Sequence, residues 1–352
     1  MSQPSWGNIL KLKLLPFSVL LAVAATASLG CESSRSRKGD ASSGSSADGA
    51  DGTDQNNDDP LSRGGSEDPL ATDPGGSAKA TAAQICERWN GDRQLTEGEW
   101  TGSVVKCDPG DIDVSGRDNA LRLMNLYRWL SGLPPVTTSP AKNADAQACA
   151  LMMHANLGLS HNPPSSWSCY TKLGADAAGQ SNISTQPGVT SVDAYMVDDG
   201  NDDTIGHRRW ILSNGLGPVG LGSTSTYSCM HVIGGLGSST AGSPRFTAWP
   251  PAGKVPLGAF YPETMWWSNL DQVGWSVQSD RLNLTEATVT VTSDGETLPV
   301  DTFPLLPGYG SESALRFTPK GWKTEAGKTY SVTLSGVNPS ISYSVEVLDC
   351  GG

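Results

Sequence analysis

Apolar positions recur with helical spacing along "DNALRLMNLYRWL", Asp118 to Leu130. Ala120, Leu123, Met124, Tyr127 and Leu130 share one face at three- and four-residue steps, which predicts an amphipathic helix. Gly132 and Pro134 stop it. "SPAKNADAQACALMMHANLGL" predicts a second helix, with Ser139 as its cap and Pro140 at its first position. The apolar stripe expected for it is Ala148, Leu151, Met152 and Ala155. A third helix is expected over Ser191–Asp198, in "SVDAYMVDD". A fourth, "IGHRRWIL", would be capped by Thr204 and followed by Gly215.

The period then shortens to two. "VGLGS" and "YSCMHVIGG" alternate and predict a hairpin. Beyond "AWPPAG" every patterned segment alternates: "ATVTVTSDGETLPV", "KTYSVTLSGV" and "ISYSVEVL". The first of these turns at Asp294-Gly295, a strong hairpin signal. Residues 249–352 therefore read as an antiparallel β-sandwich.

The first part of the chain lacks either period. Lys11 and Lys13 precede the apolar run Leu14 to Ala27, which suits a signal-peptide core and is short for a span of ~20 residues. The run ends in "SLGC", where Cys31 resembles the lipid-attachment cysteine of a bacterial lipoprotein, although Ser28 replaces the usual aliphatic residue. Plain secretion is the competing reading. Residues 31–84 are rich in Ser, Gly, Asp and Pro and bury too little to offset the entropy of folding, so they read as a disordered tether. The expected organisation is a signal peptide over 1–30, the tether over 31–84, an N-terminal extension over 85–115, a helix-rich domain over 116–248, and the β-sandwich over 249–352.

Composition narrows the partners. A formal charge of −12 argues against nucleic acid, which needs a basic footprint. Of the seven cysteines, assigning Cys31 to lipid leaves an even set, as expected of disulfides in an exported chain. Short loop closure favours Cys86 with Cys107 and Cys149 with Cys169, among many possible pairings, which leaves Cys229 with Cys350 to clip the C-terminus to the middle of the chain. No CxxC, HExxH, Walker loop or G-x-S-x-G elbow occurs in the sequence. The acidic loop Asp198–Asp203 lacks EF-hand spacing and reads as solvated. Trp249, Trp266, Trp267 and Trp275 read first as packing residues and second as a platform for sugars.

Candidate chemistry rests on four histidines, His154, His161, His207 and His231. His154 and His231 read as packing residues. "NLYRWLSGLPPV", a helix ending in "LSHNPP", "AAGQSNIS", and "SVDAYMVDDGNDDTIGHRRWILSNGLGPVGLG" follow one another in an order that resembles the CAP superfamily. That family includes cysteine-rich secretory proteins, antigen 5 and plant pathogenesis-related proteins. The likeness covers about Gly116 to Ala248 and is closest to the bacterial branch, where Asn125 and Arg128 stand before Gly-Leu-x-Pro. It implies an α+β fold in which a three-layer α-β-α sandwich precedes the β-sandwich.

The resemblance also implies a cleft lined by two histidines and two glutamates. His161 and His207 match the histidines. Ser181, or Gln180 one place earlier, takes one glutamate position; Tyr195 and Asp198 take the other. Two imidazoles and a carboxylate are zinc donors, so His161 and His207 are candidate metal ligands and zinc the candidate ion. Ser181 cannot titrate usefully, which weakens the set as a catalyst. The expectation is thus a non-enzymatic envelope protein, lipid-anchored or secreted, binding a surface ligand or protein through His161, Ser181, Asp198 and His207. A metal-dependent hydrolase or peptidase using that cleft, and a glycan-binding adhesin using the β module, are the alternatives.

Overall fold

A computed structural model describes residues 79–233 and 244–351. The expected signal peptide, Cys31 and most of the expected tether lie outside these residues. Among the described residues the fold is mixed α/β, with seven α-helices and three sheets.

Helix α1 (Ala82–Asp92) starts at a capping box. The Gln84 N–H donates to the Thr81 hydroxyl, and the Thr81 N–H donates back to Gln84 Oε1. α2 (Val114–Leu130) buries all five positions of the predicted stripe. Asn125 and Arg128, on the same helix, pin the turn that follows. Asn125 accepts from the Val136 N–H and donates to its carbonyl, both at 2.9 Å, while Arg128 Nε donates to Pro134 O at 2.9 Å.

α3 (Pro140–Asn156) begins after Ser139 as expected, but the Ser139 side chain makes no capping bond. Its buried face is Ala146, Cys149, Ala150, Leu151, Met152 and Met153; Ala148 and Ala155 are part-exposed. The stripe was legible only in part because small apolar residues surround much of this helix, so neighbours choose the face. Those neighbours are the strands of a three-stranded antiparallel sheet, β1 (Ser181–Ser184), β2 (Gly220–Ser223) and β3 (Ser228–His231), in the order β1-β3-β2. β2 and β3 form the predicted hairpin. A Cβ at Gly220 or Gly222 would overlap the backbone of α3, so glycine lets helix and strand approach closely.

Three further helices complete this part: α4 (Lys172–Ala178), α5 (Thr190–Val197) and α6 (Gly206–Ile211). Thr204 does not cap α6 as expected. Ile205 holds the cap position at φ 41°, and the Thr204 hydroxyl accepts only the Gly206 N–H, at 3.2 Å.

The β region holds two sheets. β4 (Thr247–Trp249), β6 (Trp275–Ser279), β10 (Ser313–Pro319) and β9 (Val300–Leu305) form one, in that order. β5 (Gly253–Pro256), β12 (Ile341–Leu348), β11 (Thr329–Ser335), β7 (Thr288–Ser293) and β8 (Glu296–Leu298) form the other. A short helix, α7 (Leu270–Val273), precedes β6. Asp294 and Gly295 turn β7 into β8 at φ 53° and 84°, the left-handed pair a tight hairpin needs. The antiparallel expectation fails at one place: β5 and β12 run parallel. The long chain between them allows a crossover that a hairpin could not make.

One buried cluster runs through both regions, from Leu123, Met124 and Tyr127 to Trp249, Trp275 and Val332. Tyr127 meets Trp249 edge to face at 5.2 Å. Arginines extend the junction. Arg208 Nη1 donates to Gly274 O at 2.8 Å and Ser276 Oγ at 3.0 Å; its Nε and Nη2 take Met196 O and Val197 O. Arg209 reaches Leu306 O at 2.7 Å and Ser311 O at 3.0 Å. Within the helical region, Arg128 Nη1 donates to Ile211 O at 2.6 Å and ties α2 to α6. Burial pulls Arg128 down to about 9 and Arg208 and Arg209 to about 10, yet all stay cationic at neutral pH.

The disulfides differ from the expected pairing: Cys86–Cys350, Cys107–Cys169 and Cys149–Cys229. Loop-closure entropy rises only slowly with length, so element packing decides instead. α3 lies on β3, which brings Cys149 to Cys229.

Candidate functional site

α6 carries its residues to opposite tasks. Arg208 and Arg209 turn into the junction, whereas His207 lines an open cleft of about 490 Å³. Asp198, at the end of α5 with φ 65°, reaches back to it, with 2.9 Å between Asp198 Oδ1 and His207 Nδ1. The Asn201 amide donates to Asp198 Oδ1 at 2.7 Å and lies 3.2 Å from His207 Nδ1. Asp198 Oδ2 accepts the Arg208 N–H at 3.2 Å. Both carboxylate oxygens are therefore engaged and the side chain is fully buried. From the other side, Asn182 on β1 donates to the His207 carbonyl at 3.1 Å. The Tyr195 ring packs on the imidazole, 5.0 Å between centroids, and burial raises its phenol above the ordinary range.

His161 lines the same cleft from the loop after α3. Its Nδ1 lies 2.9 Å from Ala178 O at the end of α4. A carbonyl can only accept, so Nδ1 carries the proton. In the neutral form of either imidazole, a proton on the engaged Nδ1 leaves Nε2 as the lone-pair nitrogen. The cleft thus holds two oriented imidazoles, with Asp198 as the group that positions one of them.

Ser181 stands elsewhere. It is buried in β1 opposite His231, does not line the cleft, and its hydroxyl has no hydrogen-bond partner. Gln180 is also turned away: His231 Nε2 lies 3.1 Å from its Oε1. His231 is buried, and His154 packs between Trp100 and Tyr227. Burial lowers the pKa of both.

The fit to zinc is partial. Catalytic zinc takes about three protein ligands. Among the described residues no group of three or more His, Cys, Asp or Glu is placed to hold a metal. His161 and His207 supply two nitrogens, and Asp198 is committed to its neighbours. Asp198 also departs from the expected solvated loop, while Asp202 meets Arg316 of β10 at 3.5 Å.

Several lining groups carry no mark in the sequence: Ser160, Ser184, Thr185, Gln186 and, from the β region, Met265; Trp267, marked there for packing or sugars, also lines this cleft. The tryptophan cluster divides, since Trp249 and Trp275 are core while Trp266 is 87% and Trp267 42% exposed. Exposed polar and aromatic residues follow no period, so only the assembled fold shows which of them share a wall.

No curated protein and no solved structure matches the chain. Residues 121–233 match the family model described as CAP, cysteine-rich secretory protein family, which supports a CAP-superfamily domain over this stretch.

Proposed function

We propose that the chain is an exported, non-enzymatic binding protein of the bacterial envelope that takes a ligand or partner between His161 and His207. The observation that carries this reading is a single cleft lined by two imidazoles, each with Nδ1 already bonded. The non-enzymatic reading is supported by Ser181, which stands at the expected glutamate position, cannot titrate usefully and lies outside the cleft. Three disulfides suit an oxidising compartment. The apolar run before Cys31 supports export, and lipid on Cys31 would hold the fold at a membrane. A three-layer α-β-α arrangement is supported by alternate burial across the small sheet. Leu221 and Met230 join the cluster of α2 and α5, while Ile183 and Cys229 join that of α3 and α4.

A divalent ion in the cleft would be held by the two histidines and completed by solvent or ligand. Zinc therefore serves as the probe. Titrating zinc chloride into the full chain should shift the ring resonances of both His161 and His207. Either single alanine variant should abolish the shift of the other ring. Independent shifts, or none, would overturn the shared cleft.

A further inference from the structure

We infer that the ligand of this cleft is a neutral oligosaccharide chain, a step that rests on the binding reading above. The lining contains no lysine or arginine, and its charged residues are Asp198 and Asp199. Phosphates, carboxylates and sulfated chains would meet no cation there, and would meet Asp199 at the rim. A lipid or sterol calls for mostly apolar walls, whereas hydroxyl and amide side chains are interleaved with the apolar ones here.

Those side chains suit hydroxyl groups, which both donate and accept. The Ser160 hydroxyl accepts the Asn162 N–H at 3.1 Å, and the Ser184 hydroxyl accepts the Gln186 N–H at 2.9 Å. Each hydroxyl is thereby oriented and keeps its own hydrogen to donate. The Nε2 atoms of His161 and His207 provide acceptors. Gln186 provides both kinds of group from one side chain.

Trp267 supplies the missing element. A sugar ring presents an apolar C–H face as well as polar edges, and an exposed indole can cover that face. Trp267 lines the cleft with 42% of its surface free. Trp266, 87% exposed, stands edge-on beside it at 5.7 Å. An indole so exposed contributes little to folding. Its plane lies at 83° to that of Trp267, so Trp266 offers a second, differently oriented face and Trp267 carries the stacking at the cleft.

The test uses the full chain and isothermal titration with four neutral probes: cello-, chito-, xylo- and laminari-hexaose, with hexagalacturonate as the anionic comparison. At least one neutral probe should bind with a submillimolar Kd and more tightly than hexagalacturonate. Trp267→Ala should weaken it about tenfold or more, and Trp267→Phe, which keeps a ring, should restore much of the loss. Ser184→Ala and Gln186→Ala should weaken it by smaller factors. Unchanged thermal melting of Trp267→Ala separates lost contact from lost fold. Failure of all four neutral probes while the histidine rings still answer zinc would overturn the sugar assignment and leave the cleft standing. Failure of both would remove both. Sugar binding indifferent to Trp267→Ala would place the sugar elsewhere and overturn this assignment.

Discussion

The cleft and the arginine junction are built from adjacent residues of α6, yet they dispose of their polar atoms in opposite ways. In the junction, Arg208 meets Met196 O, Val197 O, Gly274 O and Ser276 Oγ, so every donor nitrogen of its guanidinium has a partner. In the cleft, each histidine uses one nitrogen for orientation and keeps the other. Saturated groups hold two regions together, and partly saturated groups remain for a ligand. Asp198 stands between the two, accepting from the Arg208 backbone with one oxygen and meeting His207 with the other.

That contrast predicts a graded series. Arg208→Met strands several buried carbonyls on both sides of the junction and should destabilise the protein by about 3 kcal/mol or more, read by urea denaturation. A loss below about 1 kcal/mol would mean the junction is not held as described. Asp198→Ala should cost about 1–3 kcal/mol, since it removes an acceptor from the Arg208 N–H and places alanine at φ 65°. It should also blunt the zinc response of His207, which a purely structural aspartate would leave intact. The double variant His161→Ala with His207→Ala should lose less than about 1 kcal/mol while losing all zinc response.

The smallest expected effect is on pH dependence. His154 and His231 are held neutral by burial, with folded pKa values below the unfolded one. As pH falls from neutral through the unfolded value, the unfolded chain takes up protons first, so stability falls and then levels below the folded pKa. His231→Gln should flatten that fall relative to wild type in melts at pH 7.5 and 5. An identical slope would show that His231 titrates alike in both states.

Legibility in the sequence followed the range of the deciding interaction. The α2 stripe, the β2–β3 hairpin and the Asp294-Gly295 turn are set by neighbours a few residues apart. The disulfides depart from the short-loop expectation because Cys149 finds Cys229 only once α3 lies on its sheet. Arg208 and Arg209 are adjacent in the sequence, and nothing local marks carbonyls of Gly274 or Leu306 as their partners. His161, Asp198 and His207 line one cleft, but Ser181 does not: it is buried at the start of β1 opposite His231, beyond the cleft wall that Ile183 and Ser184 of the same strand supply. Trp267 was visible as a residue but not as a wall of the cleft, because it arrives from the other region of the chain.

The Cys86–Cys350 bond joins residues 264 positions apart. It makes a covalent ring of nearly all the described chain. A pull on the segment ahead of Cys86 passes through sulfur to the far end without peeling a strand from either sheet. A protease that cuts once inside the ring opens it but releases nothing. The nicked protein should migrate as one species on a denaturing gel until thiol is added, and then as two.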